Sequence, residues 1–135
     1  MSKPIPSVQK YMTTSPHTIG KDQSLAHAHA ILKEHRIRHL PVLDGGALVG
    51  MLTERDLALI ESLSSVDPSG LKVEDAMTPQ PFSVHPDSPL DQVAQEMAEK
   101  RYGSAVVVNN NKVVGIFTAV DAMSALADLL HTRLR

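Results

Sequence analysis

The heptapeptide GMLTERD at residues 50 to 56 returns as GIFTAVD at residues 115 to 121, sixty-five positions further on. Both run glycine, two apolar residues, threonine, two variable residues, aspartate. The echo extends well beyond this phrase. Displaced by that interval, the two halves align from Val8 to Asp56 without a gap. Val8 falls on Val73, Met12 on Met77, Thr13 on Thr78 and Pro16 on Pro81. Asp22, Leu25, Arg36, Val42 and Val49 fall on Asp87, Leu90, Arg101, Val107 and Val114. Gly50, Thr53 and Asp56 meet Gly115, Thr118 and Asp121, and apolar character persists between the anchors, as in Ile19 with Val84 or Leu32 with Met97. Self-similarity at a fixed interval marks one structural unit used twice, and stacked units bury a face that neither covers alone.

Each copy predicts a β-α-β-β-α order. SPHTIG is a short extended piece, since Pro16 disfavours helix before it. DQSLAHAHAILKEHRI is helical, with Asp22 or Ser24 as its cap and Leu25, Ala28, Ile31 and Leu32 along one face. RHLPVLD and ALVGMLT are strands, turned by the positive φ angles that DGG supplies. ERDLALIESLSS is a second helix with Leu57, Ile60 and Leu63 on its buried side. In the second copy Pro89 stands near the first turn of a helix, where its missing N–H costs least. SAVVVNNNKVVGIFT is a hairpin turned by asparagines, and AVDAMSALADLLHTRL is the closing helix. The expected boundaries are 8–62 for the first repeat, 63–72 for a polar connector and 73–130 for the second repeat. The expected fold is α+β: residues 1–135 form one module, its two repeats packed sheet to sheet about a pseudo-two-fold axis.

Composition narrows the function. Aromatic residues make up only 3%, so the core must be Val, Leu, Ile, Ala and Met. Met51, Met97 and Met123 are expected to fill it. With no cysteine, disulfides, thiolate catalysis and cysteine-ligated metals are excluded. A formal net charge of −2 gives no long-range pull on nucleic acid or an anionic membrane. No apolar run approaches the roughly 20 residues that span a bilayer. MSKPIPSVQKYM lacks the apolar stretch of a secretory signal, so a cytoplasmic protein is expected.

The repeated phrase has two physical readings. A threonine at the end of a strand caps the following helix, and an aspartate in the first turn complements the helix dipole. Alternatively the threonine hydroxyl donates to a ligand oxygen. The carboxylate then accepts from the adjacent hydroxyls of a ribose, and helix N–H groups face a phosphate. Gly50 and Gly115, placed at the strand end, permit close backbone approach.

The stretches MTTSPHTIG and RHLPVLDGGALVGMLTERD resemble the CBS domain, and so do MTPQPFSV and RYGSAVVVNNNKVVGIFTAVD. The second copy departs from the pattern in its AVVVNNN turn, where many members carry Pro, Asp and Gly, and asparagine tolerates the positive φ. The resemblance covers nearly the whole chain and so implies a stand-alone pair with no catalytic domain. Such pairs resemble regulatory parts of AMP-activated kinase and inosine monophosphate dehydrogenase, where clefts between repeats hold adenosine-containing ligands. Carried over by position, one cleft would combine Thr118 and Asp121 with Thr13, His17, Ile37, Arg38 and His39. The other would combine Thr53 and Asp56 with Thr78, Phe82, Tyr102, Gly103 and Ser104. Arg38 and His39 fall where family members place phosphate-binding residues, and Arg55 adds a cation beside Asp56. The alternative reading has Arg38 solvated on the surface and Arg55 paired with Glu54 or Asp56.

Other constellations are weaker. The seven histidines show no His-Glu-x-x-His spacing, and no metal site is expected. No nucleophile elbow and no glycine-rich phosphate loop appears, so an enzyme is not expected. In the tail, Met123, Leu126, Leu130 and Leu134 share a helical stripe, and the family dimerises through such helices. A homodimer with Leu57, Ile60, Leu126 and Leu130 at its surface is expected. The expected function is sensing of an adenine nucleotide, AMP or ATP foremost, with no obligatory cofactor and an unidentified protein partner. The alternative is a ligand-independent dimeric scaffold.

Overall fold

The computed structural model describes residues 4–63, 65 and 67–133; positions 64 and 66 of the expected connector, and Leu134 of the expected stripe, lie outside them. The strands are β1 (Thr13–Thr14), β2 (Ile19–Gly20), β3 (His39–Asp44), β4 (Ala47–Thr53), β5 (Thr78–Pro79), β6 (Ser83–Val84), β7 (Ser104–Asn109) and β8 (Lys112–Thr118). The helices are α1 (Leu25–His35), α2 (Glu54–Glu61), α3 (Leu90–Lys100) and α4 (Ala119–Arg133).

Local chemistry sets most of these limits. Ser24, not Asp22, caps α1: its Oγ accepts from the His27 amide at 3.0 Å. Leu25, Ala28 and Leu32 then fall on the buried face. Pro89 precedes α3 with φ −61°, and Leu90, Val93 and Met97 are its buried residues. Gly45 and Gly46 turn one hairpin at φ 58° and 88°; Asn110 and Asn111 turn the other at 52° and 62°. The second helix is shorter than its pattern suggests. It stops at Glu61, which leaves Leu63 51% exposed rather than buried.

The chain divides into two compact units, and neither coincides with a sequence repeat. His17–Pro81 make a middle unit; the segment up to Pro16 joins the chain from Phe82 onward in a terminal unit. Each repeat sends its leading segment into the other repeat's unit. The middle sheet has the order β2-β3-β4-β5, with β5 drawn from the second repeat. The terminal sheet has the order β1-β8-β7-β6, with β1 drawn from the first. In both, the long hairpin is antiparallel and the strand on its far side is parallel.

The exchange has a side-chain logic. Val8 and Val73 are both fully buried, Val8 against Leu90 and Phe117 and Val73 against Leu25 and Leu52 in their respective cores. The amide of Val8 donates to Ser88 O at 2.9 Å and that of Val73 to Gln23 O at 2.8 Å. Gly50 and Gly115 lie within their strands, not at the ends, opposite the exchanged strands. A Cβ on Gly50 would stand 2.9 Å from Met77 Cγ and 3.1 Å from Thr78 O; one on Gly115 would stand 3.0 Å from Met12 Cγ. These two glycines make room for the incoming methionines.

Among the expected core methionines, Met51 and Met97 are buried, but Met123 is 66% exposed because it lies on the outward side of α4. Leu57 is only 3% exposed in the middle core and is therefore unavailable to the dimer surface proposed for it.

Candidate functional site

The repeated phrase folds the same way in both units. Thr53 ends β4 and caps α2: its Oγ accepts from the Asp56 amide at 3.1 Å, and its own amide donates to Asp56 Oδ2 at 2.9 Å. Thr118 and Asp121 repeat this at the start of α4, with distances of 3.2 and 3.0 Å. The interval of three is that of a capping box, in which threonine and carboxylate satisfy two otherwise orphaned amides. The structural reading is thus realised in both copies. It engages one carboxylate oxygen with backbone and leaves the other for a further donor.

In the terminal unit that donor is Thr13. Thr13 pairs with Ile116 across the β1–β8 ladder, and its hydroxyl donates to both oxygens of Asp121 at 3.3 Å. Ser104 pairs with Thr118, and Gly103 O accepts from the Ala119 amide at 3.1 Å. Phe82 and Tyr102 set their rings 5.1 Å apart, tilted by 30°. Thr13, Phe82, Tyr102, Gly103, Ser104, Thr118 and Asp121 therefore belong to one compact unit.

The middle unit holds the remaining members. His39 pairs with Thr53, and Arg38 O accepts from the Glu54 amide at 2.9 Å. Ile37 packs on the middle core. Thr78 pairs with Met51 across β4 and β5. His17 stacks on His35, ring centroids 3.7 Å apart. The second-strand residues of each copy thus lie beside the cap of their own repeat and not, as expected, of the other, whereas the leading threonine does come from the other.

Arg38 is solvated, as the alternative reading had it, its side chain 81% exposed; its Nε also stands 4.0 Å from Glu54 Oε2, a partner that reading gave to Arg55. Burial pushes the His39 imidazole below its ordinary pKa, Arg38 adds to this, and Asp56 opposes it. His39 is therefore a neutral donor or acceptor at neutral pH, and the positive charge of this end rests on arginine.

Two residues that the pattern did not single out join the terminal unit. The phenol of Tyr11 donates to Asp128 on α4, and the guanidinium of Arg133 donates to Pro4 O at 2.7 Å. Tyr11 is one of two tyrosines in the chain, the only sequence signal it offered. A groove of about 380 Å³ between α1 and α2 is lined by His29, Leu32, Lys33, Glu54, Leu57, Ala58 and Glu61, none of them a predicted ligand contact. Among the described residues no cluster of three or more histidine, aspartate or glutamate side chains is placed to hold a metal.

The CBS domain model matches residues 1–61 and 73–128. CBS domain-containing protein YhcV of Bacillus subtilis (strain 168) is 31% identical, over 93% of this chain and 96% of that protein. Relatives that carry enzyme names are matched over far less of their length, 23% of one and 24% of another. Among solved structures, the CBS domain pair of protein MJ0100 in complex with 5′-methylthioadenosine and S-adenosyl-L-methionine is 32% identical with a TM-score of 0.82, over 93% of this chain and 98% of that one. CBSX2 of Arabidopsis thaliana in complex with AMP is 27% identical with a TM-score of 0.83, over 92% of this chain and 98% of that one. The doubled family match agrees with the doubled capping phrase and the two exchanged sheets, and the chain belongs to the CBS domain family as a tandem pair of its domains.

Proposed function

We propose that the protein is a regulatory module, acting in the cytoplasm, that binds an adenosine-containing nucleotide of the AMP, ADP or ATP class and signals to a protein partner. The carrying observation is the twice-built capping phrase, which holds Asp56 and Asp121 by Oδ2 in the first turns of α2 and α4. A ribose diol needs such a fixed acceptor pair. Solved CBS pairs of closely similar fold bind AMP or S-adenosyl-L-methionine and 5′-methylthioadenosine, which favours the adenosyl class. In the terminal unit Thr118, Asp121 and Thr13 would hold the sugar, with Phe82, Tyr102, Gly103 and Ser104 close by. In the middle unit Thr53, Asp56 and Thr78 would do so, with His17, Ile37 and His39 nearby and Arg38 and Arg55 supplying charge for phosphate. The ligand acts through its differential affinity for two conformations.

A second reading has its own support. On α4, Met123, Leu126 and Leu130 are 66, 50 and 45% exposed, which suits a homodimer surface and a ligand-independent scaffold. Thermal melts and titration calorimetry separate the two. Ligand that binds the folded form at about 100 times its Kd adds about 2.7 kcal/mol and raises Tm by several degrees. No heat and no shift with AMP, ADP or ATP at millimolar concentration would leave the scaffold.

A further inference from the structure

Asp121 and Asp128 are seven residues apart on α4, two helical turns, and so lie on one face about 10 Å from each other. Both accept a hydroxyl from the segment leading into β1: Asp121 from Thr13 and Asp128 from Tyr11. Tyr11 closes the 3-10 turn Val8–Lys10 two residues before Thr13, and its long phenol arm reaches Asp128 further along the helix. Arg133 closes a third point, at the far end of α4, on Pro4 O. The leading segment is thereby fastened along the whole of α4.

Among the described residues the middle unit shows no such fastening. At the repeat interval Thr13 and Asp121 are kept as Thr78 and Asp56, but Tyr11 becomes Ala76 and Asp128 becomes Leu63. Helix α2 moreover ends at Glu61, short of the position that Leu63 would need. The threonines and the aspartate of the candidate site are shared, and the outer fastening is not.

We infer that Tyr11, through Asp128, is a positioning residue that holds the Thr13–Asp121 pair in place before ligand arrives, and that it does so for the terminal-unit site alone. The binding consequence rests on the nucleotide reading above; the positioning itself does not. A preset acceptor loses less freedom on binding than a mobile one, so the fastening favours the terminal-unit site beyond what the differing second-strand residues contribute.

The test uses Tyr11→Phe, which keeps the ring packed on the terminal core. In ligand-free protein, amide exchange read by NMR is expected to quicken at Asp121 and Ser15 by about tenfold, the loss of one hydrogen bond to a charged acceptor, and to stay unchanged at Asp56. Asp128→Ala should match it, Asp128→Asn should restore most of the protection by keeping an acceptor, and the Tyr11→Phe/Asp128→Ala double variant should add nothing further. Equal quickening in both units, or none, overturns the inference, because a general loss of stability moves every amide. AMP titrations then use Asp56→Asn and Asp121→Asn backgrounds to report one site each. Tyr11→Phe should weaken AMP about tenfold in the first and leave the second unchanged. Equal affinity in the first overturns the positioning role in binding. If wild-type protein takes up no AMP, the nucleotide reading fails, and the exchange data still decide the fastening.

Discussion

His39 stands beside Thr53 across the β3–β4 pair, half-buried and held neutral chiefly by burial. A histidine whose pKa is lowered on folding binds its proton more readily when unfolded. Its contribution is intact above the unfolded value of about 6.5 and is lost as pH falls from there through the lowered folded value. Urea midpoints between about pH 7.5 and about pH 5 should therefore fall more steeply in wild type than in His39→Gln. Parallel curves would mean that His39 does not titrate differently on folding. At this scale much of the site was legible. The threonine–aspartate interval predicted a helix cap, and both copies form one. The glycine of the phrase was misread as a strand end because nothing adjacent in the chain shows what Gly50 faces. Its neighbour is Met77, from the other repeat.

Helices α1 and α3 end alike, with Arg36 at φ 54° and Arg101 at φ 59° in the left-handed region. A side chain pays conformational strain there that glycine does not, partly offset by glycine's greater freedom when unfolded. Arg101→Gly should raise the urea midpoint at unchanged slope, by roughly 0.5–1 kcal/mol. A lower midpoint would show that the arginine side chain contributes more than its backbone costs. Elements of this kind were readable because their determinants lie within a few positions of one another: Ser24 before α1, Pro89 before α3, the glycine and asparagine turns. The end of α2 was not. Leu63 continues the apolar period of Leu57 and Ile60, yet the helix stops at Glu61, where a run of serines begins and no core residue waits for the next turn.

Four exposed large apolar side chains, Val120, Met123, Leu126 and Leu130, share α4; the others described are Leu59 on α2, Leu63 beyond it, Ile5 and Tyr102. Leu57, buried in the middle core, drops out of the proposed dimer surface, and α4 remains. Leu126→Glu with Leu130→Glu should convert a dimer mass to a monomer mass in light scattering at micromolar concentration, with an unchanged far-ultraviolet spectrum. A monomeric wild type would remove the dimer and with it the scaffold reading.

Apart from the end of α2, what depends on short-range order was written in the chain: two copies, their strands and helices, the capping phrase and the turns. Which strand completes which sheet was not, and the pattern of residues had no means of stating it. Met12 and Met77, Gly50 and Gly115, and Thr13 and Thr78 are pairwise the same residue. A leading strand therefore meets the same glycine gap and the same backbone donors in its own repeat as in the other. The choice falls to the folded whole, where Thr13 reaches Ile116 and Thr78 reaches Met51, and that choice brings a threonine from one repeat onto Asp121 of the other.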